Sequence, residues 1–478
     1  MIGSEDCLYL DVYTPPTVHA ATTTTTATAL KPVMVWIYGG AFTAGDAEEF
    51  GWYNGENMAK NRDVVVVAMN YRLAAFGFLA TQYFKNAAGT TGNYGTQDQQ
   101  FALKWVKENV ANFGGDPDNV TIFGQSAGGM SVCWHLVSEV SRQYFHKAII
   151  ESGSCDSPSF FLEEDKAMDF GMEYANAAGC SSELPEAEWM ACMQKLPTQA
   201  LMITQTANEA DHVKAVTAAG APHVAHVVDT TPFKNDKPMA PVIDKTRAGL
   251  LDRPLTLIKQ GRVADVPVMH GTVDNEGSMF AMRAPLVVPG VTMPLNASSL
   301  VLVLDAILGK PAAKIVSPMY AQPQFGSPDD QLSAVIADYM FNCPCRRTAR
   351  ALAAHGSKPN YRYYFTYPEH WIDNESLGNY HTSEIALVFQ NEWPPVIHKF
   401  NYADKITANV MSTYWTNMGK LGSPNDGVLP TWPQWVNGDD GESLLVLAGP
   451  ESLPTSGLKD TVCDMWDEID PIVKNPQD

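Results

Sequence analysis

Gly124-Gln-Ser126-Ala-Gly128 places a serine midway between two glycines. An apolar run, Val120–Phe123, leads into it, and a helical pattern, Ala127–Val140, leads away. A strand-to-helix turn this sharp closes only if the residues flanking the serine are small, and it then holds the hydroxyl out from the edge of the sheet. The chemistry open to such a hydroxyl is attack on a carbonyl carbon, with the Ala127 amide aimed at the developing negative charge. The bland alternative is a Gly-rich helix start capped by serine. A second glycine turn, Trp36-Ile-Tyr-Gly39-Gly40-Ala41-Phe42, ends an earlier apolar run. Its Gly40 and Ala41 amides, joined by Ala127, would form an oxyanion hole, and one such donor contributes about 3 kcal/mol in the transition state. By itself this segment reads rather as an ordinary turn after a strand, and its pairing with the turn at Ser126 is what favours the oxyanion hole.

A serine needs a histidine to take its proton and a carboxylate to orient the histidine. With 11 histidines and 53 acids, spacing alone leaves the partners open. Both belong on loops that follow late strands. Gly271-Thr-Val-Asp274-Asn-Glu276-Gly277 and Gly378-Asn-Tyr-His381-Thr-Ser-Glu384 are so placed. Glu384 reads as a helix-face carboxylate or a support for His381.

The elements that must position these groups are short continuous apolar runs. They are Val33–Tyr38, Val64–Met69, Val120–Phe123, Ala148–Ile150, Val266–Met269 and Tyr363–Phe365. Runs apolar on both faces suit a parallel sheet covered by helices on each side. Helical periods lie between them. Asp98–Asn112 aligns Phe101, Trp105, Val106 and Val110, and Lys405–Gly419 aligns Ile406, Val410, Tyr414 and Met418. The expected class is α/β, with a mostly parallel central sheet, helices on both faces and large insertions, in one domain over residues 1–478. Thr17–Leu30 reads as a surface loop joining two strands, and Ser157–Pro254 as a long excursion from the sheet.

Composition narrows the function. A formal charge of −21 disfavours binding to nucleic acid or to anionic lipid, both of which need a basic surface. The 45% hydrophobic content suits a large core rather than a disordered chain. No run of 18 or more apolar residues predicts a membrane span. Cys343-Pro-Cys345 lacks a second pair and a histidine at zinc spacing, so no metal site is expected, and no cofactor is implied. Asn296-Ala-Ser298, Asn374-Glu-Ser376 and Asn119-Val-Thr121 fit the glycosylation triplet, which matters in an exported chain. Cys133 reads as a buried thiol, and Cys155 and Cys345 have no evident partner.

Ser4-Glu-Asp-Cys-Leu-Tyr-Leu-Asp-Val-Tyr-Thr-Pro15, Asn70-Tyr-Arg-Leu, Gly92-Asn-Tyr-Gly, Phe113-Gly-Gly-Asp-Pro and Gly124-Gln-Ser-Ala-Gly-Gly129 resemble the type-B carboxylesterase (cholinesterase-like) family, in the same order from Ser4 to about Trp466. The resemblance implies an α/β-hydrolase fold and a neutral carboxylic ester as small-molecule substrate. It implies a triad of Ser126, Glu276 and His381, with Asp274 the nearest rival acid. It further implies an oxyanion hole of Gly40, Ala41 and Ala127 and a structural ion pair between Arg72 and Asp98. Disulfides Cys180–Cys192 and Cys343–Cys463 are implied too, hence a secreted or secretory-pathway protein that carries glycans. His135, His146, His223, His226 and His270 are then structural or surface residues.

Two departures from that pattern stand out. Family members usually carry a longer stretch ahead of the Ser-Glu-Asp-Cys motif, including the partner of Cys7, so this chain reads as N-terminally short. Gln125 stands where cholinesterases have glutamate, which disfavours a choline ester. A non-catalytic adhesion or structural protein on the same fold remains an alternative, as does a thioesterase or amidase. The oligomeric state is left open.

Overall fold

β-Branched side chains fit an extended pleat, and runs of them are buried when both faces of a sheet are covered. A computed structural model describes residues 3–16, 29–157, 159–206, 239–356, 358–368, 377–392, 399–436 and 442–474. Its strands are β1 (Leu10–Tyr13), β2 (Lys31–Ile37), β3 (Val65–Met69), β4 (Gly115–Gln125), β5 (Lys147–Glu151), β6 (Leu162–Glu163), β7 (Val242–Ile243), β8 (Val268–Val273), β9 (Asn360–Phe365), β10 (Leu444–Leu447) and β11 (Leu453–Thr455). Nine of them form one sheet in the order β1-β3-β2-β4-β5-β8-β9-β10-β11. From β3 to β10 every neighbouring pair is parallel, and antiparallel β1 and β11 close the two ends. Strands β3, β5, β8 and β9 are buried along their whole length, as expected of a sheet with helices on both faces.

The apolar runs therefore became strands where the pattern placed them. The helix faces came out differently. The helix Tyr94–Asn109 buries Gln99, Ala102, Leu103 and Val106, whereas Phe101 is 70% exposed. The inward line runs at i, i+3, i+4 and i+7 from Gln99, and Gln99 bonds Ser131 and His135 across the helix interface. A buried polar residue thus belongs to the packed face, and an aromatic one was displaced from it. The helix Tyr402–Leu421 buries Tyr414 and Met418 but leaves Ile406 and Val410 half-buried, because Ala408, Met411 and Trp415 define its face. This helix starts at a capping box between Asn401 and Asp404.

Cys180–Cys192 and Cys343–Cys463 are disulfides, as the resemblance implied. Cys133 is not a free thiol: it is bonded to Cys155. Cys133 lies on the helix Ala127–Val137 and Cys155 on the chain leaving β5, and their Cα atoms are 5.1 Å apart, within bridging range. Sequence could not show this, since it depends on β5 lying beside β4. The Cys343–Cys463 bridge spans 120 residues and contributes about 4–5 kcal/mol in the chain-entropy account. It anchors the last helix, Asp460–Lys474, which Arg346 also holds through Asp464.

Between β5 and β8 the chain leaves the sheet, forms helices Glu164–Ala177, Glu186–Lys195 and Thr198–Thr206, and pairs β6 with β7. The predicted loop Thr17–Leu30 lies outside the described residues from 17 to 28, as do Asn374-Glu-Ser376, His223 and His226. Asn296 caps a helix by accepting from the Ser299 amide. Asn119 sits in β4 and accepts from Lys147. Arg72 grips Asp98 through two bonds of 2.7 and 2.8 Å. No helix among the described residues is long and apolar enough to cross a membrane.

Candidate active site

One residue, Ser126, separates the end of β4 from the helix Ala127–Val137. Its backbone is forced to φ +57° and ψ −123°, a conformation a side-chain-bearing residue seldom adopts. The glycines explain how the turn closes. A Cβ on Gly128 would lie 1.9 Å from the Ile37 carbonyl oxygen, and one on Gly124 would lie 2.7 Å from the backbone of Gly128. The Ser126 amide is anchored to the Glu151 carbonyl at the end of β5 (2.9 Å). Strain at one residue is thereby held by two strands and a helix, and Ser126 remains partly accessible.

The loop after β2 lies against this turn. A Cβ on Gly39 would stand 3.0 Å from Ser126 Cβ. Gly40, Ala41 and Phe42 all have positive φ (94°, 56° and 63°). The amides of Gly40, Ala41 and Ala127 donate to no acceptor among the described residues. Ala41 bears this conformation despite its methyl group.

His381 lies on the loop following β9, and Glu276 on the loop following β8. These neighbouring strands run parallel, so their C-terminal loops emerge together, and an Asn275–Tyr380 bridge continues the pairing. His381 Nδ1 meets Glu276 Oε2 at 2.5 Å, while the other carboxylate oxygen accepts from the Val273 amide at 3.0 Å. Glu276 is fully buried, and the imidazole packs against the stacked pair Phe280 and Phe341, with ring centroids 5.2 and 4.7 Å away. A carboxylate can only accept, so Nδ1 is the ring nitrogen that donates, and in the neutral ring Nε2 is the acceptor. Asp274 is not in this pairing: it accepts from the Tyr364 hydroxyl at 2.8 Å.

The Nε2 atom of His381 contacts the carboxamide Nε2 of Gln125 at 3.2 Å, and no hydrogen bond joins it to Ser126 among the described residues. His381 and Glu276 are thus paired, and His381 and Ser126 are not hydrogen-bonded. Sequence reading identified Gln125 only as a departure from cholinesterases. The flanking Phe280 and Phe341 were missed, since nothing local distinguishes them from core aromatics.

Two more carboxylates lie beneath. Glu384 accepts from Ser152 (3.2 Å) and Tyr363 (3.4 Å), and burial, reinforced by Glu151 and Glu276, pushes its carboxyl well above the usual range. Glu151 accepts from the Trp415 indole at 2.9 Å, and burial pushes its carboxyl up to about 8. The folded protein therefore keeps protons that the unfolded chain releases near 4.5. Stability contributed by this group is present below that value and is lost as pH rises toward about 8. Glu151→Gln should flatten the fall of Tm measured from about pH 5 to about pH 9. An unchanged slope would show that Glu151 is ionised in the native state throughout.

His135 bonds Ser141 and Gln99, and His270 bonds Cys345 and Asn360, both fully inside the core. His146 accepts from the Val120 amide. None of these reaches Ser126, in keeping with the structural roles expected.

A mostly parallel sheet, a sharp strand-to-helix turn at Ser126 after its fourth strand and a His–Glu pair on the loops of later strands fit the α/β-hydrolase class. Comparison with known proteins narrows this. The family model described as "Carboxylesterase family" matches residues 1–466. The chain is 32% identical to the cholinesterase of Mus musculus over 97% of its own length and 72% of that protein. It is 30% identical to Mus musculus acylcarnitine hydrolase, covering 90% of this chain and 70% of the relative, and 30% identical to Mus musculus carboxylesterase 5A, covering 98% and 75%. The chain belongs to the carboxylesterase family, and this membership supports carboxylic-ester hydrolysis as its activity.

Proposed function

We propose that the protein hydrolyses neutral carboxylic esters through an acyl-enzyme on Ser126. Ser126 Oγ bonds to the ester carbonyl carbon as its proton passes to His381 Nε2. The oxyanion so formed accepts from the amides of Gly40, Ala41 and Ala127. His381 then returns the proton to the departing alcohol oxygen as the ester C–O bond breaks. Water attacks the acyl-serine with the same base, and carboxylate and free Ser126 are released. Glu276 keeps the ring in the right tautomer and stabilises the imidazolium. Gln125 is uncharged, so its position adds no anion for a cationic substrate.

The observation that carries this reading is the buried His381–Glu276 pair, 2.5 Å long, whose other ring nitrogen lies 3.2 Å from Gln125, the residue before Ser126. The three disulfides support an oxidising compartment, and hence export. A fluorophosphonate probe should label the folded protein at Ser126, located by peptide mass spectrometry. A folded sample that stays unlabelled would favour a binding protein on the same scaffold.

A further inference from the structure

Gln125 is 1% exposed and sits between the strand end and the base. Its carboxamide Nε2 lies 3.2 Å from His381 Nε2. Glu276 can only accept from Nδ1, so in the neutral ring the nitrogen facing Gln125 carries the lone pair, and an amide can satisfy it only by donating N–H. The carboxamide oxygen is turned toward the loop after β2, where a Cβ on Gly39 would stand 3.1 Å from it. The imidazole is braced by Phe280, Phe341 and Glu276, so it has little freedom to turn away. The lone pair that must receive the Ser126 proton is therefore already occupied.

We propose that Gln125 is a latch on the general base: in the resting protein its side-chain N–H caps His381 Nε2, and it must swing aside before Ser126 can transfer its proton. Gln125 is a positioning residue here, acting through His381. This inference rests on the reading of Ser126 and His381 as nucleophile and base. A neutral hydrogen bond of this kind contributes about 0.5–1.5 kcal/mol net, so its loss frees the base by about 2- to 13-fold.

The test is the second-order rate of fluorophosphonate labelling in the whole protein, compared with Gln125→Met and Gln125→Asn. Methionine has a similar length and shape but no N–H, and asparagine keeps the amide while falling short of the ring. Both variants should label about 2- to 13-fold faster than the parent while still unfolding cooperatively. Acylation, read as kcat/KM for an ester, should rise with the labelling rate. A role limited to packing would lower Tm without accelerating either reaction. Equal or slower labelling in a folded Gln125→Met protein would overturn the latch while leaving the nucleophile intact. If the parent itself is not labelled at Ser126, the hydrolase reading fails first, and the latch with it.

Discussion

Ser126→Ala is expected to lower kcat for a short-chain p-nitrophenyl ester by about a million-fold, leaving only the weak assistance of the oxyanion amides. Alanine keeps the Cβ and removes the one oxygen that can bond to the acyl carbon. The backbone at this position is set at φ +57° by the Gly124 and Gly128 contacts and by the Ser126 amide bond to Glu151, none of which involves the hydroxyl. Alanine meets the same backbone constraint as serine, so Tm should change little. The measurement is turnover and thermal unfolding on one preparation. Retained turnover in a protein shown by mass spectrometry to carry the substitution would mean that another group attacks the ester. His381→Ala should give a loss of the same order, because nucleophile and base act as one unit.

Glu276→Gln should lower kcat by about ten-thousand-fold. The carboxylate makes two contacts, accepting from His381 Nδ1 at 2.5 Å and from the Val273 amide at 3.0 Å. A glutamine can keep its oxygen on Val273 and then presents N–H to the ring. That selects the tautomer with the proton on Nε2, and the base loses the lone pair it needs. No negative charge remains to stabilise the imidazolium. Fold and shape are preserved, so the loss should fall on kcat with Tm nearly unchanged. A decrease of less than about tenfold would point to another orienting acid. Asp274 is a poor substitute, since its carboxylate is committed to Tyr364.

Much of this arrangement was legible before any coordinates. Gly-x-Ser-x-Gly between an apolar strand and a helix is a local pattern, and its demand for small flanking residues arises within five positions of the chain. Parallel-sheet architecture was equally plain, because strands buried on both faces appear as unbroken apolar runs. Acid and base were different. Among 53 acids and 11 histidines, residue type and loop placement left several candidates, and Glu276 and His381 stood out only by resemblance to a family.

What the sequence by itself determined is the order of strands, turns and helices, the elbow at Ser126 and the acidic character of the chain, since each depends on neighbouring residues or on composition. Tertiary structure decided which carboxylate meets His381, that Cys133 pairs with Cys155, that Gln99 rather than Phe101 faces inward, and that Gln125 lies against His381. Those outcomes depend on the spatial order of strands and on side-chain conformations that bring distant residues within a few ångströms, and no local pattern encodes such distances.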